Sequence, residues 1–208
     1  MTGCGFIGDL LRTAASKLAR RMHIALVFFL AIQSVPFAVL PNLLAQQPKP
    51  REYEVKATYL YNFARFVEWP PNNAPSKEEA FAICVLGQDP FGKTLDTAVA
   101  GEIVDGKNVI ARRIAKAQDG MNCRILFVSS SEQKRLNETL ATLDKTEVLT
   151  VSDMPDFSRR GGMIQFVFDG NRVRFEVNLT RTNGAHLKLS SELLKVAAAV
   201  RGNAQPGD

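Results

Sequence analysis

The stretch CRILFVSSSEQKRLNETLATLDKTEVLTVSD, residues 123–153, decides the fold class. It contains two strongly apolar runs, CRILFVSS at 123–130 and EVLTVSD at 147–153. Between them, Leu136, Leu140 and Leu143 recur at helical spacing within residues 132–144. Strands that are apolar throughout are typical of a parallel sheet buried on both faces, and a helix between them supplies the crossover. The stretch therefore predicts a βαβ unit.

Further strands are predicted on both sides of this unit. FAICVLG at 81–87 and NVIARRI at 108–114 precede it. MIQFVFDGNRVRFEVNL at 163–179 contains two alternating runs around Asp169-Gly170-Asn171, which is a hairpin signal. We therefore predict an α/β fold: a single three-layer domain with a mixed sheet, in which a parallel βαβ core is followed by a C-terminal antiparallel hairpin.

Two more helices are predicted near the ends of this domain. EYEVKATYLYNFARFVEW, residues 52–69, has apolar side chains at helical spacing until Pro70 and Pro71 stop the pattern. LKLSSELLKVAAAV, residues 187–200, is predicted as a closing amphipathic helix with Ser190 or Ser191 as its N-cap.

The first 45 residues have the three parts of a secretory signal peptide. A basic region that ends at Arg21 precedes the apolar run IALVFFLAI, and small and polar residues follow. Cleavage is expected after Ala45, or alternatively after Ala38. An uncleaved anchor over 24–44 is the other interpretation, although prolines and polar residues interrupt that run. We expect a linker at 46–51, a domain at 52–200, a flexible tail at 201–208 and a periplasmic location.

The positive charge of the chain lies mainly in the predicted signal peptide. Residues 1–45 contain four of the 26 basic and one of the 21 acidic residues, which leaves 22 basic and 20 acidic residues in the exported part. No basic cluster there alternates with aromatic residues, so we expect no nucleic-acid partner.

Two cysteines, Cys84 and Cys123, remain once the predicted signal peptide is removed. In an oxidising compartment such a pair favours a disulfide. Two buried thiols that act as small hydrophobic residues are the alternative.

The segment GQDPFGKT, residues 87–94, matches the phosphate-loop pattern G-x-x-x-x-G-K-[ST]. Pro90 removes one backbone donor from such a loop, and Asp89 would place a carboxylate beside the phosphates. We instead interpret Gly87 as the end of a strand, Asp89 as a helix cap, and Lys93 and Thr94 as helix surface. No nucleotide or other cofactor is expected.

Other catalytic patterns are weak in this sequence. His186 is the one histidine after the predicted signal peptide, and Ser129 to Ser131 lack a nucleophile-elbow pattern. No group of residues has metal-ligand spacing. We therefore predict no catalytic residue and no metal site, and we expect that the protein is not an enzyme.

Several stretches carry a family resemblance: KATYLYNFARFVEWP, ICVLGQDPFGKTLD, CRILFVSSSE, VLTVSDMPDFSRRGGMIQFV and RVRFEVNL followed by LKLSSELLKVA. Together and in this order, they resemble the YfiR/HmsC-like family of small periplasmic proteins. The resemblance implies a compact α/β domain, commonly a homodimer, that restrains the periplasmic region of an inner-membrane diguanylate cyclase. It would thereby lower cyclic-di-GMP and biofilm formation. It also implies a Cys84–Cys123 disulfide, whereas a second cysteine pair found in some members is absent near Ser158 and Gln165.

Two hypotheses on the working surface follow. In the first, an aromatic face of the first helix and the segment near 154–162 contact the partner. The candidate interface residues are Tyr59, Phe63, Phe66, Trp69, Met154 and Phe157. The plainer alternative is that these side chains pack on the sheet. The second hypothesis is a small-ligand-binding module that serves a sensor kinase or a transporter, with a site near Gly87, Ser129 and Asp153.

Overall fold

The first helix begins earlier and ends sooner than the sequence predicts. The computed structural model describes residues 49–70 and 80–202, so the predicted signal peptide lies outside the described residues. Helix α1 spans Lys49–Phe66 and thus starts within the predicted linker. Val67–Glu68 form strand β1, which pairs antiparallel with β9 at Lys188–Leu189. Because Val67 is buried by this pairing, the chain leaves the helix three residues before Trp69.

The centre of the domain is a sheet of parallel strands, as predicted. Its strands are β2 Phe81–Leu86, β3 Ile103–Val104, β4 Lys107–Ile114, β5 Ile125–Val128, β6 Leu149–Ser152, β7 Ile164–Asp169, β8 Arg172–Asn178 and β10 Ala199–Arg201. Their order across the sheet is β10-β8-β7-β6-β5-β2-β4-β3. Strands β4, β2, β5, β6 and β7 run parallel, and β8 returns antiparallel to β7.

Helices cover both faces of this sheet. They are α2 Lys93–Val99, α3 Leu136–Thr142, α4 Leu179–Gly184 and α5 Ser191–Val196, with 3-10 helices at Ala117–Asn122 and Ser130–Arg135. Side chains alternate along β2: Ile83 and Val85 join the cluster under α1 and α2, whereas Cys84 and Leu86 join the cluster under α3. We call these two sides the α1 face and the α3 face. The three-layer α/β prediction is thereby confirmed.

The predicted hairpin is present with a two-residue turn. Asp169 and Arg172 are paired, so Gly170 and Asn171 form the loop, and Gly170 has a φ of 60°. A two-residue hairpin turn requires this left-handed backbone, which glycine adopts without a steric penalty.

The predicted closing helix over 187–200 is wrong in extent. Its first residues form β9 and its last residues form β10, which pairs parallel with β8. Helix α5 occupies only the middle, and its N-cap is Ser190, whose hydroxyl accepts a hydrogen bond from the backbone N–H of Leu193 at 3.2 Å. Arg201, predicted to begin the flexible tail, is the last residue of β10.

Candidate functional site

The carboxyl ends of β2 and β5 form the switch point at which the second hypothesis places a ligand. After β2 the chain goes to α2 on the α1 face, and after β5 it goes to α3 on the other face, so a crevice between their ends is expected. The protein's own side chains fill it. The backbone N–H of Gln88 donates to the Ser131 hydroxyl at 2.9 Å, and a Cβ at Gly87 would lie 2.4 Å from that oxygen and 2.8 Å from Glu132 Oε1. The backbone N–H of Ser129 donates to the carbonyl of Leu86 at 3.0 Å, so Gly87 and Ser129 lie close together, and the Ser131 and Glu132 side chains occupy the space beside Gly87.

Asp153, the third residue of that hypothesis, follows β6 and binds a buried lysine. Lys56 on α1 is 1% exposed, and its Nζ lies 2.7 Å from Asp153 Oδ2. Glu52, one turn earlier on α1, forms a second ion pair with Lys56, and the Tyr53 hydroxyl donates to Asp153 Oδ2 at 2.9 Å. The lysine ammonium also lies 4.5 Å from the centre of the Tyr53 ring.

This buried charge cluster (Glu52, Tyr53, Lys56 and Asp153) anchors α1 to the carboxyl end of strand β6. A buried charge is tolerated only when partners satisfy it, and here two carboxylates surround one ammonium. Burial raises the pKa of the Tyr53 hydroxyl, and the charge of Asp153 and the hydrogen bond to it raise it further. The cluster pairs its charged groups with one another, and its geometry indicates a structural role.

The segment 87–94 presents oxygen acceptors, whereas a phosphate site requires N–H donors. The Arg113 guanidinium donates to the carbonyl oxygen of Gly92 at 2.5 Å, to Asp89 at 2.8 Å and to Asp96 at 2.6 Å. The hydrogen bond from Arg113 to Asp96 holds the pKa of the Asp96 carboxyl below its usual value. The loop therefore binds a cation of its own chain through carbonyl and carboxylate oxygens, the reverse of a phosphate nest.

Asp89 has a role that the sequence did not indicate. Gly92, not Asp89, is the residue that precedes α2, so the predicted helix cap is wrong. The Asp89 carboxylate instead accepts a hydrogen bond from the backbone N–H of Phe91 at 2.8 Å, which tightens the turn.

The six predicted interface residues do not share one surface. Tyr59 and Phe63 pack against Phe166 and Phe175 on the α1 face, with ring centroids 5.2–6.0 Å apart. Met154 and Phe157 belong to the cluster of the α3 face, on the other side of the sheet. The sheet between the two groups keeps them from acting as one surface.

Burial restricts the predicted interface further. Phe63 and Phe157 are 0% exposed and Met154 is 1% exposed, so a partner cannot reach these side chains in the folded domain. Trp69 is half-buried with its ring edge-on to Phe81 at 5.2 Å. Phe66, 38% exposed, is the one large apolar side chain of the six that faces solvent. The interface hypothesis that we carry forward therefore rests on Phe66.

The two cysteines lie on the α3 face. Cys84 in β2 and Cys123 before β5 form a disulfide with Cα atoms 6.0 Å apart, and both side chains are buried. Ser158 and Gln165 are also brought together: the Ser158 hydroxyl donates to Gln165 Oε1 at 3.2 Å, and the Ser158 backbone N–H donates to the same oxygen at 3.1 Å. The Ser158 hydroxyl also lies 3.2 Å from Glu176 Oε2, and the backbone hydrogen bond of Ser158 to Gln165 links the segment after β6 to β7.

The described residues lack two kinds of feature, a metal-binding cluster and a membrane-spanning helix. Within residues 49–70 and 80–202, no group of histidine, cysteine, aspartate or glutamate side chains is arranged to hold a metal ion. In the same part of the chain, no helix combines the length and the apolar character that a membrane span requires.

Solved structures with a related fold are distant in sequence. A conserved domain protein from Vibrio cholerae O1 biovar El Tor strain N16961 has a TM-score of 0.50 and 9% identity, and the match covers 72% of this chain and 60% of that one. The ABC domain in complex with L-Trp from Streptococcus pneumoniae has a TM-score of 0.45 and 10% identity, with 74% and 60% covered. The chain thus spans about 60% of the length of each. The first likeness shows the fold alone, and the second is too weak for any argument.

Sequence comparison is more specific. No curated protein matches the chain. The family model described as YfiR/HmsC-like matches residues 53–198, from Tyr53 on α1 to the residue before β10. A match of this length covers well over half of the sequence and nearly all of the described residues, and the chain therefore belongs to the YfiR/HmsC-like family.

Proposed function

We propose that this protein is a periplasmic repressor of a membrane-bound diguanylate cyclase. The family match over residues 53–198 carries the proposal, because membership supports a periplasmic regulatory role in general and a regulatory rather than a catalytic activity. The predicted signal peptide at 1–45 agrees with export. In this role the domain lowers cyclic-di-GMP and biofilm formation through contact with the periplasmic region of the cyclase.

The physical requirement for such a repressor is differential affinity. A binding partner shifts a two-state equilibrium only as far as it binds one state more tightly than the other. The domain therefore binds the inactive state of the cyclase more tightly than the active state. Release of the domain by an envelope signal then restores synthesis of cyclic-di-GMP.

Phe66 is the proposed contact residue on the domain. Aromatic side chains that are exposed in the free protein commonly become anchors in an interface. Phe66 lies in the last turn of α1, and its backbone carbonyl accepts a hydrogen bond from Ser190 N–H at 2.9 Å, which fixes the end of the helix. The same exposed side chain is the proposed contact whether the domain docks on the cyclase or forms a homodimer.

The test measures cyclic-di-GMP in cells that lack the gene. These cells are complemented with the full chain, a chain without residues 1–45, Phe66→Asp or Thr58→Asp. Thr58 is also exposed on α1, so its substitution adds the same charge to the same helix away from the proposed contact. We expect the deletion to raise cyclic-di-GMP, and we expect only the full chain and Thr58→Asp to reverse the rise.

The outcomes separate the parts of the proposal. An unchanged cyclic-di-GMP level on deletion refutes the cyclase repressor. Repression by the chain without residues 1–45 contradicts the periplasmic location. Full repression by Phe66→Asp, with a normal circular dichroism spectrum, rejects Phe66 as the contact residue while leaving the function in place.

A further inference from the structure

A solvent-accessible cavity of about 740 Å³ lies on the domain beside the disulfide, at the amino ends of β5 and β6. Its lining includes Cys123 and Arg124 just before β5, and Lys145 to Val148 just before β6. Arg112 of β4 lines it as well and stands opposite Cys84 in the strand register. The cavity therefore lies at the amino ends of the strands, whereas the filled switch point lies at their carboxyl ends.

The charges that line this cavity are mainly positive. Arg112 and Lys145 are both exposed, and within residues 49–70 and 80–202 neither has a carboxylate partner. Arg124 and Glu147 add one charge of each sign. The excess of two positive charges is complementary to an acidic ligand.

An apolar contact is available next to these cations. Met121, in the 3-10 helix that forms one wall, is 51% exposed. Methionine adapts its shape to varied apolar partners and is common at binding surfaces. A wall with an exposed methionine and two separated cations suits an extended chain better than a compact ion, because the contacts come from three different elements.

The backbone of Lys145 adds an independent observation. Its φ is 60°, in the left-handed region that glycine adopts freely and lysine rarely occupies. The residue lies in the turn after α3, where Thr146 N–H donates to the carbonyl of Leu143 at 3.1 Å. Folding alone would favour glycine at this position, so a lysine there is consistent with selection for its side chain.

We propose that this basic groove (Arg112, Met121 and Lys145) binds an extended acidic segment of a protein partner. Arg112 and Lys145 pair with carboxylates of the segment, and Met121 contacts an apolar side chain between them. The groove lies on the α3 face, whereas Phe66 lies on α1, on the other side of the sheet. The site can therefore be tested without reference to a cyclase.

The experiment measures the anisotropy of a fluorescein-labelled, glutamate-rich peptide with one central leucine, titrated with the oxidised domain. We expect saturable binding that weakens as ionic strength rises. Lys145→Gly and Arg112→Gln should each lower the affinity roughly threefold to fivefold. Lys93→Gln, which removes an exposed positive charge on α2, should leave the affinity unchanged.

Lys145→Gly also distinguishes binding from folding. Because glycine suits the left-handed backbone, we expect this variant to keep or raise the thermal midpoint of unfolding while it loses affinity for the peptide. No saturable binding, or an equal loss in Lys93→Gln, overturns the proposal. Displacement of the peptide by millimolar inorganic phosphate would assign the groove to small anions and would also overturn it.

Discussion

Lys56 on α1 is 1% exposed and lies between two carboxylates. Isolated burial of an ammonium group costs several kcal/mol, and the two carboxylates of Glu52 and Asp153 offset this cost only because both approach the same nitrogen. The ion pair with Asp153 joins α1 to a residue that is 97 positions away. The Lys56 side chain thus fixes the first half of α1 against the carboxyl end of β6.

Tyr53 makes the stability of this cluster sensitive to alkaline pH. Burial, with the negative charge of Asp153, raises the pKa of its hydroxyl in the folded state above the value near 10 of an unfolded chain. The protonated form is therefore favoured by folding. Its contribution is fully present below about pH 10 and is lost as pH rises beyond that value.

We accordingly expect the urea midpoint of the wild type to fall more steeply above about pH 10 than that of Tyr53→Phe. The lysines outside the cluster are the same in both proteins, so the difference between the two curves reports on Tyr53 and the groups in contact with it. A urea series at increasing pH, with tyrosinate absorbance of the folded protein as a second readout, measures the effect. Parallel curves for the two proteins would contradict it.

At the scale of single elements, helix α5 depends on one of two adjacent serines. The Ser190 hydroxyl accepts from Leu193 N–H, whereas the Ser191 hydroxyl donates to the exposed Glu192 carboxylate at 3.3 Å. An N-cap substitution typically lowers the free energy of unfolding by about 1 kcal/mol. We expect this loss for Ser190→Ala and little change for Ser191→Ala.

Urea denaturation of both variants provides the measurement. The two substitutions remove the same hydroxyl group at neighbouring positions, so each is the control for the other. Equal losses of stability would show that the hydroxyl of Ser190 does not act as the cap.

The elements that sequence predicted well have local signals. Strands β2, β5 and β6 are buried along their whole length, β5 and β2 as apolar runs, and the β7–β8 turn is defined by Gly170 and its neighbours. The elements that sequence missed depend on distant partners. Lys188–Leu189 continue a helical pattern, but they pair with Val67–Glu68, more than a hundred residues earlier. No local pattern indicates such a pairing.

The candidate sites were harder to predict than the fold for the same reason. Glu52 and Lys56 have the spacing of an exposed ion pair on a helix, and only the structure shows that Lys56 is buried and also pairs with Asp153. Phe63 and Phe66 look equivalent in sequence, although one is buried and the other exposed. The face of a helix that meets solvent depends on its neighbours, here the sheet under α1.

At the scale of the whole molecule, the disulfide closes a long loop across two neighbouring parallel strands. Cys84 and Cys123 are 39 residues apart, and the loop between them contains α2, β3 and β4. In the chain-entropy model, a loop of this length stabilises the folded state by about 4 kcal/mol. We expect the Cys84→Ala/Cys123→Ala double variant to lose about 2–5 kcal/mol of unfolding free energy.

Urea denaturation of the oxidised wild type, the wild type in reductant and the double variant measures this loss. The Cys84→Ala/Cys123→Ala variant should be insensitive to reductant, which controls for effects of the reductant itself. Coincident transitions for all three samples would contradict a stabilising cross-link.

The single disulfide of the domain has a consequence for oxidative folding. A chain without residues 1–45 contains only Cys84 and Cys123, for which a single intramolecular pairing exists. Oxidation of this part of the chain can therefore form only one intramolecular disulfide, so it requires an oxidant but no isomerase that would correct a wrong pairing.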